Sequence, residues 1–124
     1  MMNKNKSWGK DTAFYRRKDW RNIREIKLDT NPLCELCNSV GITTPAVYID
    51  HILNRNLFKE FELELDNIQS LCPTCHSQKT SLEIRYSDRN KYLKEFESGR
   101  LQYICTIEAK EKVFKLIEEK KGTN

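Results

Sequence analysis

Residues 71–76 read Leu-Cys-Pro-Thr-Cys-His, and residues 34–37 read Cys-Glu-Leu-Cys. Two Cys-x-x-Cys pairs are a strong zinc signature, because each pair forms a short turn that presents two thiolates to one side. Two such turns complete a tetrahedral site. The predicted zinc ligands are Cys34, Cys37, Cys72 and Cys75. Since four thiolates leave no vacancy around the zinc, His76 is free for other chemistry.

The chain has two histidines, and both lie within or beside this cysteine framework. His76 directly follows the last cysteine of the framework, whereas His51 lies between the two pairs and follows Asp50. A carboxylate is a hard oxygen ligand suited to Mg²⁺ or Mn²⁺. An unperturbed imidazole is mostly neutral at pH 7 and is therefore able to accept a proton. The pattern predicts a second polar site beside the zinc.

Length and composition indicate one small domain. The chain has 124 residues, of which 38% are hydrophobic and 32% are charged. This allows a modest core and a highly charged surface. A structural metal commonly accompanies such a core, because metal binding contributes directly to folding free energy.

Cysteine usage indicates a reducing compartment. The Cys-x-x-Cys spacing favours metal over disulfides, so we expect a cytoplasmic protein, with Cys105 packed as a small apolar side chain. The first eight residues have no apolar signal region. No stretch approaches the roughly 18 apolar residues of a membrane helix, so no membrane association is expected.

The net charge of +4 is unevenly distributed. Residues 1–27 carry a net +6, residues 28–71 a net −5 and residues 72–124 a net +3. The basic amino-terminal part is suited to following a phosphate backbone. A solvated helix face is the other interpretation that charge alone leaves open.

Hydrophobic periodicity and turn residues predict an α+β chain without internal repeats. We expect residues 1–12 to be a flexible basic arm. The predicted elements are a helix from Asp11 or Thr12 to about Leu28, a strand over 46–50, a loop over 52–66 with one helical turn, a strand over 67–71, a helix from Pro73 to about Ile84, and helices near 88–97 and 107–121.

One run of residues resembles a known family. Tyr48-Ile-Asp50-His51-Ile52, then Asn67-Ile-Gln, then Leu71-Cys-Pro-Thr-Cys-His76-Ser-Gln-Lys-Thr80 resembles the HNH endonucleases. The letters of that name correspond to His51, Asn67 and His76. Phe14-Tyr-Arg16 and Pro32-Leu-Cys-Glu-Leu-Cys37 resemble the zinc-containing, often phage-encoded branch. The resemblance covers roughly residues 13–81.

The resemblance implies a ββα-metal fold, in which two antiparallel strands and a helix grip a divalent cation. The four-cysteine zinc would then be structural, with flanking helices around this core. Residues 13–84 are expected to be the nuclease core, and residues 85–124 a carboxy-terminal helical extension of the same domain.

The resemblance also implies a role for each polar residue. Asp50 and His76 would hold Mg²⁺ or Mn²⁺, and His51 would be the general base. Asn67 would fix the loop and orient His51 through hydrogen bonds. The implied activity is a metal-dependent DNA endonuclease that hydrolyses phosphodiester bonds and leaves 5′ phosphate and 3′ hydroxyl ends. Arg55 and Lys79 are further candidates for phosphate contacts.

The geometry imposes one condition on this site. Adjacent residues on a regular strand point to opposite faces. Asp50 and His51 therefore share a site only if the strand ends or bulges there, and the polar loop that begins at Asn54 favours an end.

Two other function classes stay open. One is a zinc-ribbon nucleic-acid-binding module without catalysis. The other is a phage packaging or recombination accessory protein that assists a larger phage or bacterial partner such as a terminase. The set of Asp50, His51, Asn67 and His76 favours the nuclease over a pure ribbon, which has no use for these residues.

Overall fold

A two-stranded antiparallel sheet positions the site. The computed structural model describes residues 12–101 and 104–122, so the arm predicted for residues 1–12 lies, apart from Thr12, outside the described residues. Strand β1 (Tyr48–His51) pairs with β2 (Ile68–Leu71), and Asp50 lies opposite Gln69. Both predicted strands are confirmed.

Helices precede and follow the two strands along the chain. They are α1 Thr12–Tyr15, α2 Lys18–Thr30, α3 Glu35–Ser39, α4 Pro73–Glu83, α5 Arg89–Ser98 and α6 Ile107–Gly122. The loop between the strands contains two 3₁₀ turns, Lys59–Phe61 and Leu65–Asn67. The mixed fold class is confirmed, and the last three helices lie within a residue or two of their predicted ranges.

The amino-terminal helix differs from its prediction. Instead of one helix to Leu28 there are two, α1 and α2, with a break at Arg17, whose backbone is extended (φ −66°, ψ 145°). Its guanidinium reaches forward to the carboxylate of Asp19, with Nε 3.1 Å from Oδ1, and Asp19 Oδ1 accepts from Trp20 N at 2.8 Å. The Asp19 carboxylate thus satisfies one main-chain N–H in the first turn of α2, which favours a helix start there.

Capping residues set the ends of the later helices. Pro73 occupies the first turn of α4, where the missing N–H of proline costs nothing. The side chain of Asp88 accepts from Asn90 N at 2.8 Å at the start of α5, and Gly99 ends α5 with a left-handed backbone (φ 85°).

The largest apolar core joins the inter-strand loop to the carboxy-terminal helices. Its buried members are Ile52, Leu53, Phe58, Phe61, Tyr92, Phe96, Leu101, Ile104, Val113 and Leu116. A second cluster packs α1 and α2 on β2 through Phe14, Trp20 and Ile68. The residues that follow His51 in the chain are therefore held by apolar packing against α5 and α6.

The longest helix in the described part of the chain is α6, with 16 residues. A helix needs about 20 predominantly apolar residues to cross a membrane. None of the helices in residues 12–101 and 104–122 has both the length and the apolar character that crossing requires.

Candidate metal centres and active-site cleft

The four predicted zinc ligands converge. The Sγ atoms of Cys34, Cys37, Cys72 and Cys75 all lie within 4.8 Å of one another. Cys37 Sγ lies 3.8 Å from the Sγ atoms of both Cys72 and Cys75. Zinc bound tetrahedrally at about 2.3 Å from sulfur places its ligands about 3.8 Å apart. The donor set and its spacing therefore fit a tetrahedral zinc ion.

The first cysteine turn is tied to the rest of the fold by its own residues. Cys34 Sγ accepts from Cys37 N at 3.5 Å. The Glu35 carboxylate accepts from Ser70 N at 2.8 Å and forms an ion pair with Lys27 Nζ at 3.1 Å. Glu35 thus joins the turn to β2 and α2.

The thiols influence each other's ionisation. Burial raises the pKa of Cys75, and its thiol neighbours raise it further. Burial opposes ionisation of Cys72 as well, but hydrogen bonds from Cys75 and the other thiols outweigh it and lower the pKa of Cys72 to about 7. Four thiolates this close repel one another, so a bound cation is needed to ionise them all.

A cleft of about 400 Å³ runs along the free edge of β1. Residues 47–51 line it in succession, with α1 and α2 on one side and α4 on the other. The other lining residues are Tyr15, Trp20, Arg24, His76, Thr80 and Glu83. In the described residues β1 has β2 as its one partner, so its other edge is open to the cleft.

The free edge of β1 explains how Asp50 and His51 can share one site. The strand ends at His51, one residue beyond its predicted end, and its register is unbroken up to that residue. The two side chains point to opposite faces of the sheet. Both still line the cleft, because the cleft follows the edge where the two faces meet.

His51 is packed and hydrogen-bonded on the α2 side of the cleft. Its Nε2 atom lies 2.9 Å from the main-chain oxygen of Glu62, and its ring stacks on Trp20 at 4.8 Å. A carbonyl only accepts, so Nε2 carries the hydrogen and Nδ1 keeps the lone pair of the neutral ring. Burial lowers the pKa of His51, which keeps the ring neutral.

Asp50 and His76 approach each other on the α4 side. Asp50 Oδ1 lies 3.8 Å from His76 Nε2, and the His76 ring stacks on Tyr48 with centroids 4.1 Å apart. Two ligands of one cation at about 2.1 Å each lie at most about 4.2 Å apart. The oxygen and the nitrogen are therefore close enough to bind the same small divalent cation.

Asn67 is fully buried and holds the inter-strand loop. Its Oδ1 accepts from Leu53 N at 2.8 Å, and its Nδ2 donates to Leu53 O at 3.1 Å and to Phe61 O at 3.2 Å. Phe61 precedes Glu62, whose carbonyl accepts from His51. In the described contacts Asn67 is therefore connected to His51 through the Phe61–Glu62 segment of the loop.

The prediction that Lys79 contacts phosphate is wrong. Lys79 is 1% exposed, and its Nζ donates to His51 O at 2.6 Å and lies 2.7 Å from Asp50 Oδ2. It also donates to the Glu83 carboxylate one helical turn away. Burial opposes the charged ammonium, but Asp50 and Glu83 outweigh it and raise the pKa of Lys79.

Arg55 is anchored in the fold. Its guanidinium carbon lies 4.0 Å from the Phe14 ring centroid, and its Nε donates to Glu62 Oε1 at 2.8 Å. Its side chain is 11% exposed. Arg55 therefore supports the segment that supplies the hydrogen-bond acceptor of His51.

Sequence reasoning missed two polar residues next to the site. Glu83 had a readable signal, because a carboxylate four residues after a lysine is a common helical pair. Tyr92 had none: its hydroxyl donates to Ile52 O at 3.0 Å across 40 residues of chain. Such a contact depends on how α5 packs against the loop.

The chain resembles known proteins in sequence and in structure. The sequence model of the family described as HNH endonuclease matches residues 34–82. A probable HNH endonuclease of Lactococcus phage SK1 is 30% identical over 77 residues, which span 58% of this chain and 80% of the phage protein.

A solved structure is similar over a larger part of the chain. It is the HNH endonuclease of the deep-sea thermophilic bacteriophage GVE2, crystallised with a manganese ion. The two are 34% identical with a TM-score of 0.60, and the match covers 69% of this chain and 95% of the phage chain.

Proposed function

The chain belongs to the HNH endonuclease family and is a metal-dependent nuclease, and from this premise we propose that it hydrolyses phosphodiester bonds of DNA with His51 as the general base. The observation that carries the proposal is the cleft along the free edge of β1, which is lined together by Asp50, His51 and His76. A proton acceptor and a pair of cation ligands thus share one opening.

His51 accepts the proton of the attacking water in this proposal. The carbonyl of Glu62 occupies Nε2, so Nδ1 is the atom that takes the proton. The low pKa that burial imposes keeps this nitrogen unprotonated at neutral pH. The oxygen of that water bonds to phosphorus while the bond between phosphorus and the 3′ oxygen breaks, and the 3′ oxygen takes up a proton from solvent, which leaves a 5′ phosphate and a 3′ hydroxyl.

Asp50 and His76 would hold a Mg²⁺ or Mn²⁺ ion. When bound, such an ion supplies Lewis acidity toward the scissile phosphate and the leaving oxygen. The 3.8 Å approach of Asp50 Oδ1 to His76 Nε2 supports this assignment. Asn67 would keep the loop in place and, through the Phe61–Glu62 segment, the orientation of the His51 ring.

The metal of the four-cysteine site is zinc in this proposal, and its role is structural. Four thiolates close the coordination sphere and leave no position for substrate. Cys72 and Cys75 flank the start of α4, which carries His76. The zinc would therefore position the helix that supplies one ligand of the second cation.

A nucleic acid is the substrate class of the family, and we propose DNA with phosphate contacts from the amino-terminal helices. Residues 1–27 carry a net +6. Arg16, Arg17 and Arg21 are exposed on this segment, and Arg24 lines the cleft beside His51. Arg24 therefore brings a positive charge to the cleft itself, where it is suited to contact a phosphate.

The proposal also includes a reducing, cytoplasmic setting, which is consistent with five free cysteine thiols. A larger phage or bacterial partner such as a terminase stays a prediction, because no surface in the described part of the chain identifies such a partner.

Plasmid cleavage tests the proposed function. We expect the zinc-loaded protein to cleave supercoiled DNA in Mg²⁺ or Mn²⁺, and His51→Ala to lose the activity while its circular dichroism spectrum stays native. Ser77→Ala, at the exposed neighbour of His76, is the matched control and should cleave normally. Full cleavage by His51→Ala would exclude the base role, and DNA binding without cleavage in any metal would indicate the zinc-ribbon module.

A further inference from the structure

The two oxygens of the Asp50 carboxylate have different surroundings. Oδ1 faces His76 Nε2 at 3.8 Å, on the side where a cation would bind. Oδ2 lies 2.7 Å from the ammonium of Lys79 and is fully shielded from solvent. One oxygen is therefore open to the cleft, while the other is paired with the ammonium of Lys79.

Lys79 is locked in this position. Its side chain is 1% exposed, and its ammonium also donates to His51 O at 2.6 Å and to the carboxylate of Glu83. Glu83 is itself 4% exposed, and the hydroxyl of Tyr92 lies 3.4 Å from its Oε2. The Glu83 carboxylate, the main-chain oxygen of His51 and Asp50 Oδ2 are shielded from solvent, so movement of the ammonium away from them would leave buried polar groups without their partner.

From this geometry we infer that Lys79 keeps Asp50 a one-oxygen ligand and thereby determines which divalent cation the site prefers. The inference rests on the proposed function, in which Asp50 and His76 hold the cation. Lys79 is a positioning residue in this role, because it acts on the carboxylate and does not touch substrate.

The physical reason is the difference between small and large divalent cations. Mg²⁺ requires near-octahedral geometry and binds through few carboxylate oxygens and several waters, and Mn²⁺ likewise suits octahedral oxygen sites. Ca²⁺ takes about 6–8 oxygens and readily accepts both oxygens of one carboxylate. A carboxylate that offers one oxygen favours the smaller ions, and release of Oδ2 would remove that preference.

A charge-matched double variant separates this geometric effect from simple electrostatics. Lys79→Met combined with Glu83→Gln removes one positive and one ionisable acidic group, and both replacements keep the side-chain length. Glu83→Gln alone should keep the Lys79 side chain in its position, since the amide oxygen still accepts from the ammonium. Lys91→Met, at an exposed position on α5, controls for loss of a lysine elsewhere.

The experiment is calorimetric titration of zinc-loaded protein with MnCl₂ and with CaCl₂, without DNA. We expect the preference for Mn²⁺ over Ca²⁺ to fall by about tenfold in the double variant, as is reasonable for a gained carboxylate contact. Glu83→Gln and Lys91→Met should keep the wild-type preference. An unchanged preference in the double variant, or an equal fall in Glu83→Gln, overturns the role of Lys79.

His76→Ala distinguishes failure of this inference from failure of the proposed function. If His76→Ala binds Mn²⁺ as the wild type does, the cation site itself is assigned wrongly. If His76→Ala loses binding while the double variant keeps its preference, the site stands and the inference about Lys79 falls.

A second measurement needs no variant and decides the case even if the double variant does not fold. In crystals of the wild-type protein with Mn²⁺, we expect the ion on Oδ1 of Asp50 alone, with Lys79 Nζ still at ion-pair distance from Oδ2. An ion bound by both oxygens, or a displaced Lys79, contradicts the inference.

Discussion

The Nε2 atom of His51 lies 2.9 Å from the main-chain oxygen of Glu62, eleven residues further along the chain. A main-chain acceptor is available only if the loop that carries it has one conformation. Asn67 holds that loop, because its Nδ2 donates to the carbonyl of Phe61, the residue before Glu62. We therefore expect the orientation of the proposed base to depend on a buried asparagine, which holds the loop that carries the acceptor of His51.

Replacement of Asn67 by alanine should reduce catalysis more than substrate binding. The loop would lose three hydrogen bonds, and misplacement of a catalytic group by about 1 Å costs about 100-fold in rate. We expect the rate constant of plasmid cleavage to fall by about this factor, with little change in KM.

Stability should fall as well in Asn67→Ala, by about 1–3 kcal/mol, because buried main-chain groups lose their partners. Urea unfolding measures this loss. Asn90→Ala, at an exposed position on α5, is the control. A variant that is destabilised but cleaves at the wild-type rate would show that Asn67 has no part in orienting His51.

Removal of one zinc ligand should unfold the domain. Cys34→Ser breaks the four-sulfur set, whose atoms lie within 4.8 Å of one another, and loss of a structural zinc costs several kcal/mol. We expect about one zinc per chain in the wild type and much less in the variant, measured by atomic absorption, together with a lower Tm.

Cys105→Ser is the matched control for this experiment, because Cys105 lies outside the four-sulfur set. Its zinc content should equal that of the wild type. Retention of zinc and of the wild-type Tm by Cys34→Ser would refute the four-cysteine assignment.

The hydroxyl of Tyr92 should contribute to stability across the fold. In Tyr92→Phe the carbonyl of Ile52 loses a buried donor at 3.0 Å, which costs about 1–2 kcal/mol. Chemical denaturation measures this change. Tyr86→Phe removes a hydroxyl from the neighbouring, less buried ring and should change the free energy of unfolding less. Equal effects of the two variants would mean that the contact to Ile52 contributes nothing.

Arg24 should contribute to phosphate binding at the cleft. Each contact between a basic side chain and a phosphate releases counterions, so Arg24→Ala should reduce the slope of log K against log salt concentration by about 1. Fluorescence anisotropy with labelled duplex DNA in Ca²⁺ measures the slope. Arg100→Ala, with its side chain 72% exposed near the end of α5, should leave it unchanged. An unchanged slope in Arg24→Ala would remove this residue from the DNA-binding surface.

Sequence patterns predicted the elements whose causes are local. The Cys-x-x-Cys spacing brings two thiols together within one turn, and Pro73 marks the start of α4 because its backbone suits that position. The break between α1 and α2 was not predicted. It coincides with Asp19, whose carboxylate accepts a hydrogen bond from the main-chain N–H of Trp20, a local bond that competes with continuation of the preceding helix.

The candidate site was predicted in its residue types and in part of its geometry. Asp50 and His76 were assigned together, and the structure brings them to 3.8 Å. Lys79 was a candidate for phosphate contact, whereas it is buried against Asp50. A helical position next to a polar motif does not show whether a lysine faces outward, since burial depends on the elements that pack on it.

By itself, the sequence of this protein determined the ligand spacing of the four cysteines, the two strands and the three helices that follow them, and the chemical types of the residues that would bind a cation and accept a proton. These properties follow from local geometry and side-chain chemistry. Tertiary structure alone decided that the free edge of β1 exposes both Asp50 and His51, that a main-chain oxygen orients His51, and that Lys79 occupies one oxygen of Asp50. Each of these depends on contacts between residues distant in the chain, and local sequence patterns do not predict which distant residues pack together.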